Sequence, residues 1–373
     1  MAAEVALATS ARRRPFDRFP WHVALLTAAI CGLGVWNLAS ASRSAHAPVW
    51  IAQAGWMGAG ALAALVVTLF DYRSYRRLGW VVYVVVLVLL GLVLWKGRVV
   101  MGARRWISVG GANLQPSELA KIAVLMALAT WFDREGERAR GPMGLRSLAV
   151  PLGITFAPAA LILKQPDLGT ALMVVAIGAT MILFAQVRWR TLAIAVTVAA
   201  LGATVAYPRL KPYQRKRMEI FLNPESDALG AGYHATQSKI TVGSGQALGK
   251  GWGQGTQSYL SFLPERHTDF IFSVWAEEHG FVGCLLLLLL YFGLVASAVD
   301  IAGNARDRFG HFLALGVTAM LFWQTVINIG MVTGVLPVVG VTLPLMSYGG
   351  SSVLSIFIGL GLLANVGMRR FVN

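Results

Sequence analysis

Of the 373 residues 56% are hydrophobic and 13% charged, with a mean hydropathy of +0.63; apolar content in such long blocks excludes a soluble fold and defines an all-α, polytopic integral membrane protein. The balance of 32 basic to 17 acidic residues gives a net charge of +15, which fits basic cytoplasmic loops or an anionic lipid substrate, and no soluble domain remains to hold a nucleic-acid groove. Two cysteines and six scattered histidines exclude a disulfide framework and a zinc site, leave room for a loosely held divalent cation (Mg²⁺ or Mn²⁺), and suggest no organic cofactor.

The chain opens with a basic tail, residues 1–20, carrying Arg12, Arg13, Arg14 and Arg18. The apolar run from Trp21 to Ala41 precedes Ala45-His46-Ala47, which resembles a signal-cleavage site. A run of roughly 20 residues nevertheless fits an uncleaved span better than a signal core of about 7–15. Further spans are predicted at 49–70, 79–96, 117–132, 147–164, 168–187, 190–207, 270–299, 309–334 and 347–367. That makes about ten, at about 20 apolar residues each. They form a single membrane domain interrupted by one large loop, 208–269.

Short loops set the orientation. Arg73, Arg76 and Arg77 fall on one side, together with Arg134, Arg138, Arg140, Arg146, Arg188, Arg190, Arg306, Arg308, Arg369 and Arg370. The positive-inside rule puts these loops and both termini in the cytoplasm and the 208–269 loop outside. Lys96, Arg98, Arg104 and Arg105 then lie in a short outside loop, against the rule. Either they snorkel to lipid phosphates or they form a site for an anionic group.

Polar residues at the outer ends of spans narrow the search. Pro116 and Ser117 predict the start of the fourth span, with Ser117 as its cap. Glu118 and Lys121, three residues apart, share a helix face; an ion pair at that depth is either a packing lock or part of a site. Asp167, in the turn Lys164-Gln165-Pro166-Asp167, is placed to cap the sixth span. Residues 211–221 alternate basic and apolar side chains, as in a helix lying in the membrane interface. The glycine-rich run from Gly243 to Gly255 fails as a P-loop, because Gly251 follows Lys250 and Ser244 replaces the first glycine; its glycines suit close backbone approach to a ligand or head group. Ser347-Tyr348-Gly349-Gly350-Ser351-Ser352 predicts an irregular turn walling a pocket, since unpaired backbone at membrane depth must line a cavity or be buried in protein.

Asp269 stands where the large loop enters a span, flanked by Glu265, Arg266, His267 and Thr268. A carboxylate there is either the cap of the following helix or a base reachable from the aqueous side.

Several motifs resemble the SEDS family (shape, elongation, division and sporulation). They are Gly102-Ala103-Arg104-Arg105-Trp106-Ile107, Gln115-Pro116-Ser117-Glu118-Leu119-Ala120-Lys121, Gln165-Pro166-Asp167-Leu168-Gly169-Thr170, His267-Thr268-Asp269-Phe270 and the Ser347–Ser352 turn, in family order across about residues 20–370. Gly249-Lys250-Gly251-Trp252 and Gly255-Thr256-Gln257-Ser258, running into Phe262-Leu263-Pro264-Glu265, look like the elongation branch. Trp275 and His279 depart from the pattern, which has smaller or aliphatic residues there.

The resemblance implies a peptidoglycan glycosyltransferase of the cytoplasmic (inner) membrane that polymerises lipid II on its outer face. It also implies partnership with a class B penicillin-binding protein and other elongation-complex proteins amid membrane lipid. The family's essential acidic residue falls on Asp269. The expected site is Asp269 as general base, with Arg104, Arg105, Glu118, Lys121, Asp167, Lys239, His267, Thr268 and Ser347 as substrate-binding residues. A lipid II flippase and a non-catalytic scaffold for the penicillin-binding protein remain alternatives.

Overall fold

Each of the ten predicted spans is a helix in the computed structural model, which describes residues 18–43, 48–100, 103–109, 112–138, 143–206, 230–259 and 265–370, with isolated positions at 208, 215, 219, 220, 223 and 227. Most of the tail and most of the 211–221 interfacial helix predicted from sequence lie outside these residues, as do Phe262, Leu263 and Pro264. The helices of the first half are α1 (Trp21–Ala41), α2 (Val49–Leu69), α3 (Tyr72–Lys96), α4 (Pro116–Arg138), α5 (Leu145–Lys164), α6 (Leu168–Leu183) and α7 (Trp189–Ala206). Those of the second half are α8 (Ala231–Ser244), α9 (Thr256–Tyr259), α10 (Ile271–Gly303), α11 (Arg308–Thr333) and α12 (Gly350–Arg369).

Among the described residues seven helices are long and apolar enough to cross a membrane: α1, α2, α3, α5, α10, α11 and α12. The sequence reading of about ten spans therefore includes three weaker ones. Helix α4 carries Glu118, Lys121 and Asp133 within its length, α6 has only 16 residues, and the described apolar stretch of α7 ends at Val198. Helix α3 starts at Tyr72, not at 79, because Asp71 caps it by accepting from Arg73 N at 2.9 Å. Arg73, Arg76 and Arg77 thus sit on the first turns of a helix instead of in a loop.

Helices α11 and α12 form the centre, with 78% and 89% of their apolar stretches buried. Helix α4 packs against both, and its run from Ile122 to Thr130 is buried throughout. Helices α2, α3 and α10 surround them and turn leucine, valine and phenylalanine side chains outward, for example Leu65, Val84 and Phe292.

One element is not helical. Residues after α3 form a three-stranded antiparallel meander, β1 (Arg98–Val100), β2 (Ala103–Val109) and β3 (Ala112–Leu114), with Arg98 opposite Trp106 and Ile107 opposite Leu114. The all-α description holds for the bundle, and this sheet replaces the simple outside loop expected there.

The glycine-rich run has a structural role. Helix α10 is interrupted at Gly280, whose φ of 61° no helical residue adopts. The broken backbone bonds are made by the glycine-rich run instead: Lys250 N donates to Glu277 O (3.0 Å), Gly251 N to Glu278 O (2.9 Å), Phe281 N to Gln246 O (2.8 Å) and Val282 N to Ala247 O (3.1 Å). Two carbonyls before the kink and two amides after it are thereby paired. The glycines approach α10 itself, not a ligand: a Cβ on Gly249 would lie 2.2 Å from Glu278 O. Glu277, fully buried, anchors the same run by accepting from Lys250 Nζ at 2.7 Å and Gln257 N at 3.0 Å. Trp275, which departs from the family pattern, is buried nearby and stacks on His279 at 3.9 Å between ring centroids.

Gly280→Ala therefore combines a left-handed backbone with a Cβ only 2.3 Å from Gly249 N. The strained conformation alone costs about 1–3 kcal/mol. We expect a lowered thermal midpoint and faster proteolysis within 245–255, whereas Gly32→Ala, which meets open space, leaves both unchanged. Equal behaviour of the two variants would refute the docking role.

Candidate active site

At the end of the bundle that carries the sheet, a cavity of about 420 Å³ opens between β2, the first turn of α4, the turn before α6, the turn before α10, α11 and the segment 339–352. Six residues singled out from sequence line it together: Asp269, Thr268, Arg105, Glu118, Lys121 and Asp167. Elements as far apart in the chain as β2 and the segment 339–352 thus converge on one space.

Asp269 is partly exposed in the turn Glu265–Phe270. That turn is closed by Thr268 N and Phe270 N donating to Glu265 O at 3.1 and 3.3 Å, with Glu265 at a φ of 50°. Asp269 does not hold the cap position of α10: that position is Phe270, whose side chain makes no capping hydrogen bond. The carboxylate faces Gly340, which has a φ of 78°, and a Cβ there would stand 3.4 Å from Asp269 Oδ2. His267 is not among the residues that line the cavity. Burial, and then the adjacent Arg266 charge, push its imidazole pKa below the ordinary value, so it is neutral at pH 7.

The two arginines of β2 separate. Successive strand residues point to opposite faces. Arg105 turns inward, where its guanidinium donates to Gln165 O at 3.0 Å and to Pro166 O, and it lines the cavity. Arg104 turns outward, is exposed, and reaches only Trp95 O at 3.5 Å.

The inner wall of the cavity is a polar network. Lys121 Nζ meets Glu118 Oε2 at 2.8 Å, with the two side chains only 2% and 11% exposed. Lys121 also donates to Gln324 Oε1 (3.3 Å), and Gln324 Nε2 donates to Thr342 Oγ1 and Ser352 Oγ, both at 3.2 Å. Asp167 caps α6 as expected, accepting from Thr170 N at 3.2 Å; it also accepts from Thr170 Oγ1 (2.9 Å) and Gln115 Nε2 (3.0 Å). Ser117 is not the cap of α4, which begins at Pro116; its hydroxyl lies 3.4 Å from Asp167 Oδ2 inside the bundle.

The other expected residues lie elsewhere. Lys239 on α8 packs against Gly334, at the end of α11, and does not line the cavity. Ser347 is buried behind the turn that carries Asp269. Gln324 is the main lining residue missed from sequence. A glutamine in the middle of the largely apolar α11 was the available signal, since amides at that depth need buried partners. The Ser-rich turn does wall the cavity, through Tyr348, Gly349, Ser351 and Ser352.

No closed metal cage is built into this site from the described residues, although a divalent cation held by one or two carboxylates and a substrate's phosphates needs none. Among the described residues no three His, Cys, Asp or Glu side chains converge as a cage, Asp167 is taken by its capping bonds, and Glu118 is paired with Lys121.

A multi-pass helical membrane protein with four carboxylates and two cations around one polar cavity is the class that fold and site define. The family model described as the cell cycle proteins FtsW, RodA and SpoVE matches residues 18–371, and the chain belongs to that family. Peptidoglycan glycosyltransferase MrdB of Escherichia coli K12 is 43% identical over 319 residues, 85% of each chain. A chain from a peptidoglycan synthase complex, described as structurally coordinating polymerization and crosslinking, superposes with a TM-score of 0.82 at 36% identity, covering 95% of this chain and 99% of that one. The crystal structure of rod shape determining protein RodA from Thermus thermophilus gives a TM-score of 0.71 at 33% identity over 95% and 98% of the two chains.

Proposed function

We propose that this chain is a peptidoglycan glycosyltransferase of cell elongation that polymerises lipid II, with Asp269 as general base. The observation that carries the reading is the sharing of one cavity by Asp269, Arg105 and Lys121. The acceptor sugar's 4-hydroxyl attacks the anomeric carbon of the donor as Asp269 takes its proton. The bond to undecaprenyl diphosphate breaks, and that anion leaves without a general acid. Its charge is met by Arg105 and Lys121 instead of the four cations expected from sequence. Attack opposite the leaving group inverts the anomeric centre. A positioned base supplies about 10²–10⁴ in rate.

The site opens on the outer face in this reading, with both termini cytoplasmic, which follows from the arginine-rich loops. A class B penicillin-binding protein supplies cross-linking, in keeping with the similarity to a synthase-complex chain. A flippase would place its ionisable groups near the bilayer midplane, whereas here they gather at one end of the bundle. A pure scaffold has no use for a polar cavity ringed by charge.

The deciding experiment is reconstitution of the protein with its class B penicillin-binding protein and lipid II. Glycan strands on a gel are the expected product. Transfer of lipid II across the vesicle membrane without any polymer would replace this reading with the flippase.

A further inference from the structure

We propose that Asn328, Ser347 and the backbone amide of Tyr348 form a positioning clamp that sets the direction of the Asp269 carboxylate, an inference that rests on Asp269 being the base. Three successive carbonyls of the turn before α10 are each held from outside the turn. His267 O accepts from Tyr348 N at 2.9 Å, Thr268 O from Ser347 Oγ at 2.6 Å, and Asp269 O from Asn328 Nδ2 at 2.9 Å. The donors come from α11 and from the irregular segment before α12, some 60 to 80 residues away in sequence.

Asn328 is wholly buried, and its second amide hydrogen goes to Val341 O at 2.6 Å. One side chain therefore ties Asp269 to the wall of the cavity that faces it. Its Oδ1 is left buried without a partner. The flipped amide would set an oxygen against two carbonyl oxygens, so the observed orientation is the only one that bonds both. The Ser347 hydroxyl is committed as well: it donates to Thr268 O and accepts from Leu343 N at 2.7 Å. It stands behind the turn and does not face substrate, which corrects its assignment as a substrate-binding residue. Gln53 of α2 braces the same segment, donating to Ser347 O at 2.8 Å and accepting from Gly349 N at 3.3 Å.

With the carbonyls of three consecutive residues held, the main chain of Asp269 is fixed relative to the cavity wall. A base must be held near the proton it removes, and a displacement of about 1 Å at a reacting group costs about 10²-fold in rate. None of the three donors touches the reacting atoms, so each acts through Asp269.

The test is lipid II polymerisation by the purified protein with its penicillin-binding protein, comparing wild type, Ser347→Ala, Ser347→Thr, Asn328→Leu and Asp269→Asn. Ser347→Ala is expected to lower kcat about 10–100-fold with KM close to wild type, and to lower the thermal midpoint modestly because Leu343 N and Thr268 O lose their partner. Ser347→Thr keeps the hydroxyl and is expected to recover most of that rate. Asn328→Leu removes two donors and is expected to lose more; should it not fold, the Ser347 pair decides alone. Unchanged kcat in Ser347→Ala, with Asp269→Asn inactive, overturns the clamp and leaves the base standing. A raised KM at constant kcat, or equal losses in the Ala and Thr variants, also overturns it. Activity retained by Asp269→Asn removes the base itself, and the clamp with it.

Discussion

Asp269→Asn is expected to abolish glycan polymerisation while leaving the fold intact. The change preserves size and hydrogen bonding but removes the acceptor for the attacking hydroxyl's proton, so the rate should fall by about 10²–10⁴. That corresponds to roughly 3–5 kcal/mol of barrier. The fold should tolerate it because Asp269 does not cap α10 and is partly exposed in its turn. The Asp269 carbonyl, which Asn328 holds, is unaffected by a side-chain change. Measured in parallel, the thermal midpoint should stay near wild type while the polymer disappears. Polymer from the variant at the wild-type rate would move the base elsewhere, and Glu265 would become the carboxylate to examine next, since it lines the same cavity.

The second large effect concerns Glu118 and Lys121. Their side chains are only 11% and 2% exposed at a separation of 2.8 Å. Removing one partner of such a pair leaves a buried charge uncompensated and costs about 3–5 kcal/mol, whereas replacing both by uncharged side chains of similar volume is often close to neutral. Glu118→Gln should therefore strongly lower the thermal midpoint in detergent. The double variant Glu118→Gln/Lys121→Met should recover most of that loss. Activity should not recover with stability, because the double variant lacks the cation that meets the diphosphate. If the double variant were as unstable as Glu118→Gln, the pair would be a packing lock whose geometry matters more than its charge. If it were fully active, Lys121 would have no role in leaving-group stabilisation.

The site was partly legible in the sequence, for reasons that differ residue by residue. Glu118 and Lys121 stood out because charge inside an apolar run is rare and their spacing of three dictates a shared helix face. Asp167 was recognisable as a cap from the turn before α6. Asp269 was marked by its position at a loop–span border, where the residues alone allow cap or base and the family resemblance favours the base; the structure places Phe270, not Asp269, at the cap position of α10. Arg104 and Arg105 could not be told apart in a presumed loop. Once they lie on β2, strand alternation sends one into the cavity and the other out. The glycine-rich run misled in a similar way, since close backbone approach was correctly expected but the object approached is the kink at Gly280.

Local rules acting on single segments were enough to determine a polytopic helical membrane protein, the approximate positions of the ten helices predicted as spans, the buried pair on α4 and the family. Each follows from hydrophobic periodicity, charge placement or contiguous motifs, all of which are written along the chain. Which of the charged residues share one cavity, that Gln324 joins them, and that Ser347 and Asn328 serve Asp269 from behind were decided only by the tertiary structure. Those relations join α4, α11, the turn before α10 and the segment before α12. Contacts over such sequence distances depend on how helices pack and where strands turn their faces, and no local pattern in the chain encodes them.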